Sequence, residues 1–278
     1  MKRDNIHVAY VGLSGFPIGL AAISRQKLLC KGLQHAGARV QVICDKPAFK
    51  GSTEVPQSGV FEGVPFHYAT HPLKSNSFFI RNLIRVLSPI NEFRLIWKLH
   101  RKDKFTHILV SNNNGFLSSV WYGFVAKVFG LSVILSIVEL YEPQSTKSIL
   151  KKINHYCFTR FALHFFDGYL PISKVISDFY EKFKTPSLYL PIMVDLDYIS
   201  NIQPEIEPLS RPTFLFCGAA GYPNTIQFCI QSFEALNHPS ARLMIVAGGS
   251  EQEVSIVRNR IHESAKSTSM THLMNLTD

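Results

Sequence analysis

"IHVAYVGLSGFPIGLAAISRQKLLCKGLQHAGARVQVIC", residues 6–44, decides the fold. Residues 6–11 are an apolar run of strand length, and the glycine-bearing turn after them leads into a stretch of helical period. Gly37 stops that helix, and Val40–Cys44 is a second apolar run rich in β-branched residues. Two strands joined through a single helix lie parallel, because so short a connection closes only as a right-handed crossover. The unit therefore calls for a parallel sheet with helices on both faces.

The rest of the chain repeats the alternation. Strands are expected at "PFHYA" (65–69), "HILVS" (107–111), "SVILSIV" (132–138) and "GYLPIS" (168–173), with helical stretches between most of them. This is an α/β pattern. At 278 residues and 46% hydrophobic composition, the chain can bury a large core in one large or two ordinary domains. The formal charge of +9 favours an anionic partner: nucleic acid, anionic lipid or a phosphorylated small molecule. Five cysteines form no C-x-x-C pair, and Cys44, Cys217 and Cys229 fall in apolar strand or helix patterns, so buried reduced thiols are expected. The start, "MKRDNIHVAYVG", has too short an apolar run for a cleaved signal peptide.

"GFLSSVWYGFVAKVFGLSVILSIV", residues 115–138, is long enough to span a bilayer by count. Lys127 at its centre would cost about 2.5–3.5 kcal/mol in hydrocarbon, and Gly130 divides a helix-like half from a β-branched half. It reads as a soluble helix followed by a strand. Residues 78–104 interleave apolar side chains with seven Lys and Arg and two acids, and Pro89 is expected to break them into two helices. These suit either an anionic membrane surface or ordinary cover for the sheet. Nucleic acid is not expected, because no recognised binding module accompanies the charge.

Chemistry gathers at expected strand ends. Gly12, Gly15 and Gly19 let the backbone of the first loop approach a ligand, although the spacing is G-x-x-G-x-x-x-G and only Asp45 closes the second strand with an acid. Glu139 and Glu142 in "ELYEP" lie just beyond the 132–138 strand, where open α/β sheets bind ligands. Glu139 there could hold a sugar hydroxyl, act as a base or simply sit in water. "SNNNG" (111–115) offers amides to sugar hydroxyls or to a helix cap. His67 and His71 lie in an extended segment before Pro72, so no metal site is expected. Neither G-x-S-x-G nor a P-loop is present.

A proline-bearing segment leads into "RPTFLFCGAAGYPNTIQFCIQSFEAL" (211–236): an apolar strand, a turn, then Ile226, Cys229, Ile230 and Phe233 at helical spacing. "ARLMIVAGG" follows as a strand. "SEQEVSIVRNRIHESA" follows as a helix whose Ser250 and Glu253 fit a capping box. The boundaries are a first domain at 1–190, a linker at 191–212 and the beginning of a second Rossmann-like domain at 213–278.

With these motifs in place, their order resembles glycosyltransferase family 4 (group 1), enzymes of the GT-B fold. "FFDGYLPISKVISDFYEKF…SLYLPIMVDLDYI" is similar to the family's stretch leading to the linker: Pro191, Val194 and Asp195 match, while Ile192 and Met193 replace an Asn-Gly. "TFLFCGAAGYPNTIQFCIQSFEAL…ARLMIVAGGSEQE" is similar to the start of the donor-binding domain, and "VILSIVELYEP" to an acceptor-domain strand with a Glu at the place of Glu139. The resemblance implies one complete Rossmann-like domain plus the first part of a second. It implies transfer of a sugar from a nucleotide-sugar to a lipid-linked or polysaccharide acceptor, with no cofactor and no metal, by a cytoplasmic protein held peripherally at the inner membrane face. It implies Glu139 as the catalytic carboxylate, and Gly15, Gly19, Ser173, Gly218, Ala219 and Asn224 as ligand-contacting positions. The family's Arg and Lys after the first strand of the donor domain are replaced by Ala219, Ala220 and Asn224, and its paired glutamates lie beyond residue 278. A non-catalytic acceptor-binding or protein-partner module is the alternative implied.

Overall fold

The computed structural model describes residues 6–18, 21–45, 56–70, 78–111, 115–140, 148–201, 211–236, 238–264 and 266–273. Two compact units divide the chain, Met1–Asp197 and Tyr198–Asp278, and the division falls inside the segment read as a linker.

The first unit is built on β1 (His7–Val11), α1 (Ala21–His35), β2 (Arg39–Cys44), β3 (Ser58–Phe61), β4 (Val64–Tyr68), α2 (Phe78–Asp103), β5 (His107–Val110), α3 (Phe116–Phe129), β6 (Ser132–Ile137), α4 (Ile149–Phe161), β7 (Gly168–Pro171) and α5 (Lys174–Tyr180). The sheet order is β3-β4-β2-β1-β5-β6-β7. Every pairing is parallel except β3 with β4, which close through Glu62 and Gly63, both at positive φ. That hairpin was not foreseen.

Alternation along the strands builds a core on each face. Val8 and Tyr10 join Val42, Cys44 and Phe66 beneath Ile23 and Leu29 of α1. Ala9 and Val11 join Ile43, Val110 and Leu135 beneath Ile96 of α2, Val125 of α3 and Phe158 of α4. One face thus carries α1 and the other carries α2, α3 and α4. The segment after α5 runs beside β7, where Tyr169 bridges Ser187, and Leu190 and Met193 pack against the α1-side core.

Residues 115–138 are a helix then a strand. Gly130, left-handed at φ 64°, ends α3 by donating its N–H to the carbonyls of Ala126 and Lys127. No helix among the described residues is long and apolar enough to cross a membrane. The expected break at Pro89 is corrected: α2 runs unbroken through it. Pro89 itself is exposed, while Ser88, Glu92, Ile96 and Leu99 are buried along the helix, so packing holds it despite one missing N–H donor.

The second unit holds α6 (Leu196–Asn201) from its fourth-last residue onward, then β8 (Thr213–Ala219), α7 (Pro223–Ala235), β9 (Arg242–Gly248), α8 (Glu251–Glu263) and β10 (Met270–Leu273). Its sheet is parallel in the order β10-β9-β8. β10 was not anticipated; it pairs in register with Leu243–Val246. Ile226, Ile230 and Phe233 of α7 meet Leu243 and Ile245 of β9 and Val254 and Val257 of α8 in a separate core. The capping box is present, with the Ser250 side chain accepting from Glu253 N–H and the Glu253 side chain accepting in return from Ser250 N–H. Cys30 and Cys44 are buried, but Cys217 is exposed on β8, against expectation, because β8 has a strand neighbour on one side only among the described residues.

Candidate functional site

In the first unit, strand order reverses at β1: β2 and β4 lie to one side, β5, β6 and β7 to the other. The parallel strands bring their carboxyl ends to one edge, and the crevice where the order reverses is the usual ligand position of such sheets. The loop after β1 lines that crevice. Gly12 has φ +92° and Gly15 φ +94°. A Cβ at Gly12 would stand 3.0 Å from the Ser111 carbonyl oxygen at the end of β5, so close approach and backbone angle both demand glycine there. Ser14 Oγ donates to Asp45 Oδ1 at 2.5 Å, joining this loop to the end of β2. Thr70 Oγ1 donates to the Asp45 carbonyl at 2.7 Å, and the Tyr68 hydroxyl donates to the Phe16 carbonyl. Asp45, read only as the acid closing β2, is therefore a junction of three loops.

Glu139 lies exposed two residues beyond β6, on the same edge, two strands from β1. Ser173 sits just past β7, with its Oγ occupied in capping α5: it accepts from Ile176 N–H at 3.3 Å. Gly15, Glu139 and Ser173 thus share the carboxyl edge of one sheet. Gly19, Glu142 and residues 112–114 of "SNNNG" lie outside the described residues, as does His71. No group of three or more metal-ligating side chains occurs among the described residues.

Glu92 was missed. It sits on α2, is 3% exposed, and its Oε1 accepts from the Tyr122 hydroxyl of α3 at 2.9 Å. Burial raises its pKa to about 7; the Tyr122 hydrogen bond opposes the shift and the negative charge of Asp45 adds to it. The signal available was a lone acid at i−4 from buried Ile96 within an apolar stripe. Also missed was the fork from Arg25 on α1, whose Nη1 and Nη2 donate to the carbonyls of Pro191 and Leu190, each at 2.8 Å. Lys31 adds ion pairs of 3.1 Å to Glu62 and to Asp195. Leu190 and residues 191–195, the latter read as the start of the linker, are thereby fixed to the first unit.

In the second unit, Gly218 and Ala219 end β8, and Asn224 is the second residue of α7, behind Pro223 at its start. All three are exposed. Tyr222 caps α7 without a side-chain hydrogen bond, so the first-turn N–H groups and the positive end of the helix dipole face outward, an arrangement that attracts anions. Among the described residues, the charged side chains of Arg260 and Glu253 reach this loop. Arg260 of α8 donates to the Pro223 carbonyl at 2.5 Å. Glu253 lies beside the loops after β8 and β9: a Cβ at Gly221 would stand 3.0 Å from its Oε1, and one at Gly249 2.8 Å from its Oε2. Its capping-box bonds from Ser250 N and Oγ, both 2.8 Å, hold that carboxylate in place.

No family model matches the sequence. No curated protein matches it either. Solved structures do match, across both units. A glycosyltransferase from Rickettsia africae is 13% identical, with a TM-score of 0.62 over 99% of this chain and 69% of that one. The fold is that of the GT-B glycosyltransferases. HepE from Anabaena, solved in complex with UDP-glucose, is 11% identical with a TM-score of 0.58, covering 97% of this chain and 69% of its own. WaaG, a glycosyltransferase involved in lipopolysaccharide biosynthesis, is 13% identical with a TM-score of 0.58, covering 98% and 70%. The chain thus spans about 70% of the length of these GT-B structures.

Proposed function

We propose that this GT-B chain is a glycosyltransferase that takes a sugar from a nucleotide-sugar and passes it to a saccharide or lipid-linked acceptor. The observation that carries the proposal is the match of both units, in order, to glycosyltransferases, one of them holding UDP-glucose. The crevice at the reversal of the first sheet agrees with it. There Gly15 and Gly19 would let backbone approach the acceptor, with Ser173 farther along the same edge. Glu139 would orient an acceptor hydroxyl or take its proton. In the second unit, Gly218, Ala219 and Asn224 would meet the donor diphosphate through backbone N–H groups, with Arg260 as the nearby cation. Departure of a diphosphate is eased mainly by positioning and charge stabilisation, so neither a metal nor a cofactor is called for.

Isothermal titration with UDP- and GDP-sugars tests the donor half. Saturable heat that weakens at least tenfold in Asn224→Asp, which brings a negative charge to the start of α7, is the expected result. No heat at millimolar donor overturns the reading in favour of a non-catalytic module.

A further inference from the structure

Three buried polar groups near the first-unit crevice have no partner among the described residues: the Gln26 amide, the Arg25 Nε–H and the Ser136 hydroxyl. Gln26 on α1 is 0% exposed, and neither its Oε1 nor its Nε2 is hydrogen-bonded. Ser136 on β6 is 1% exposed. Leaving an amide, a guanidinium N–H and a hydroxyl buried and unsatisfied is destabilising, and apolar residues of similar shape would avoid that cost.

Alternation and register bring these groups together. Tyr10, Leu109, Ile134 and Leu170 belong to the core beneath α1. Ser111 and Ser136, each two residues beyond Leu109 and Ile134, therefore point to the same face. Leu135 pairs with Val110, so Ser136 stands beside Ser111, whose other neighbour is Gly12. The Tyr10 hydroxyl shares a hydrogen bond with Ser111 and has Arg25 and Cys30 close by. Gln26 lies one turn before Cys30 on the buried stripe of α1. The orphaned groups thus gather below the Gly12 loop, between α1 and the ends of β1, β5 and β6.

Arg25 brings an uncompensated charge to this spot. It forms no ion pair among the described residues, and its Nη1 and Nη2 hold only the neutral carbonyls of Pro191 and Leu190. Burial works against the charged form. The Arg25 Nε–H, the Gln26 Nε2 and the Ser136 hydroxyl can all donate to one guest. Water or a sugar hydroxyl would satisfy some of these donors and leave the charge unmatched. An oxyanion answers both, through charge-assisted hydrogen bonds stronger than those Arg25 makes to carbonyls. The Gln26 Oε1 is then left for a hydroxyl of the same guest.

We propose that Arg25, Gln26 and Ser136 form a subsite for an oxyanion, the carboxylate or phosphate of an acidic acceptor. Assigning that guest to the acceptor rests on the glycosyltransferase reading; the binding of an oxyanion does not.

Calorimetric titration of the whole chain, without donor, tests it with sodium glucuronate, sodium phosphate and glucose at constant ionic strength. Asn224→Asp is present throughout, so that the start of α7 does not take up the anions. Saturable heat with a dissociation constant on the order of millimolar is expected from glucuronate, phosphate or both, and none from glucose. The tighter of the two anions tells an acidic sugar from a phosphorylated one. Ser136→Ala and Gln26→Met should each weaken binding about fivefold, and Arg25→Gln at least about tenfold. Gln26→Met removes a partnerless amide, so it should keep or raise the urea midpoint while losing the anion, a combination that a purely structural role does not produce. The proposal is overturned if neither anion binds, if glucose binds as tightly, or if the variants bind as the parent does. A higher midpoint in Gln26→Met with no anion bound by the parent would make the cluster a packing defect and overturn it equally. Failure here leaves the titration with UDP- and GDP-sugars untouched, and failure of that titration leaves an oxyanion site whose guest is not an acceptor.

Discussion

Replacing Glu92 by Gln removes a buried titrating group while leaving an acceptor for the Tyr122 hydroxyl. Burial lifts the Glu92 carboxyl from 4.5 to about 7 in the folded chain. The sign follows from proton linkage: between those values the native state keeps the proton and the unfolded state has lost it, so stability falls as pH rises. At 1.36 kcal/mol per pH unit, the full penalty is about 3 kcal/mol, and it is complete above pH 7. Glu92→Gln should therefore be near neutral at pH 5 and stabilising by about 3 kcal/mol at pH 8. For a unit the size of Met1–Asp197, that is a rise in Tm of about 6–12 °C. Both tryptophans, Trp97 and Trp121, lie in the first unit on α2 and α3, so their emission during urea unfolding reads this unit directly. The comparison is variant against parent at each pH, which cancels every other titrating group. An equal midpoint shift at pH 5 and pH 8 would refute the assignment of a neutral, buried Glu92.

Acid acts in the opposite sense through His7, His67 and His100, whose pKa values burial holds below 6.5. Their contribution is present above pH 6.5 and lost as pH falls. In a Glu92→Gln background, the urea midpoint should thus drop from pH 7 to pH 5, and His7→Gln should lessen the drop. Gly12→Ala combines a φ of +92° with a Cβ 3.0 Å from the Ser111 oxygen, and should cost about 1–3 kcal/mol by the same fluorescence assay. Ser250→Ala removes the α8 capping box and should cost about 1 kcal/mol; hydrogen exchange by mass spectrometry would show faster exchange in α8 and unchanged exchange in β1. In the parent, β8 amides should exchange faster than those of β1, and equal protection would contradict the topology.

The sequence was readable where local signals agree. Gly37 after a helical period and Lys127 with Gly130 inside an apolar run each settled an element without tertiary information. Ser250 with Glu253 did the same for the start of α8. What was not readable depends on partners distant in the chain. β3 is a four-residue strand whose pairing comes from the Glu62–Gly63 turn, and β10 exists by virtue of its register on β9. Pro89 stays helical because the buried side chains of Ser88, Glu92, Ile96 and Leu99 anchor the helix on either side of the missing donor. At the candidate site, glycines signalled the loop after β1, yet the Ser14–Asp45 bond and the Arg25 fork to the carbonyls of residues 190 and 191 join residues 31 and about 165 positions apart. No local period encodes such pairs.

β1 and β8 show how topology, not residue type, sets the environment of a strand. Both are apolar runs that end in a glycine-bearing turn and a helix. β1 lies between β2 and β5, and Val8, Ala9, Tyr10 and Val11 are all at most 4% exposed. β8 is joined on one side only among the described residues; Phe214 is 49% and Leu215 64% exposed, and Phe214, Phe228 and Leu243 help line an apolar cavity of about 310 Å3. The order β10-β9-β8 corresponds to strands 3-2-1 of a mononucleotide-binding half, in which the strand-1 edge is where the second half begins. A crevice at a strand-order reversal needs two walls. In the first unit both stand, with the Gly12 loop against Ser111. In the second unit, the described residues supply the wall from β8 through Asn224, and the facing wall is not among them. Donor affinity should therefore depend more on Gly218, Ala219 and Asn224 than on any other described part of the second unit, whereas the Gly12–Gly15 loop has its opposing strand already in place.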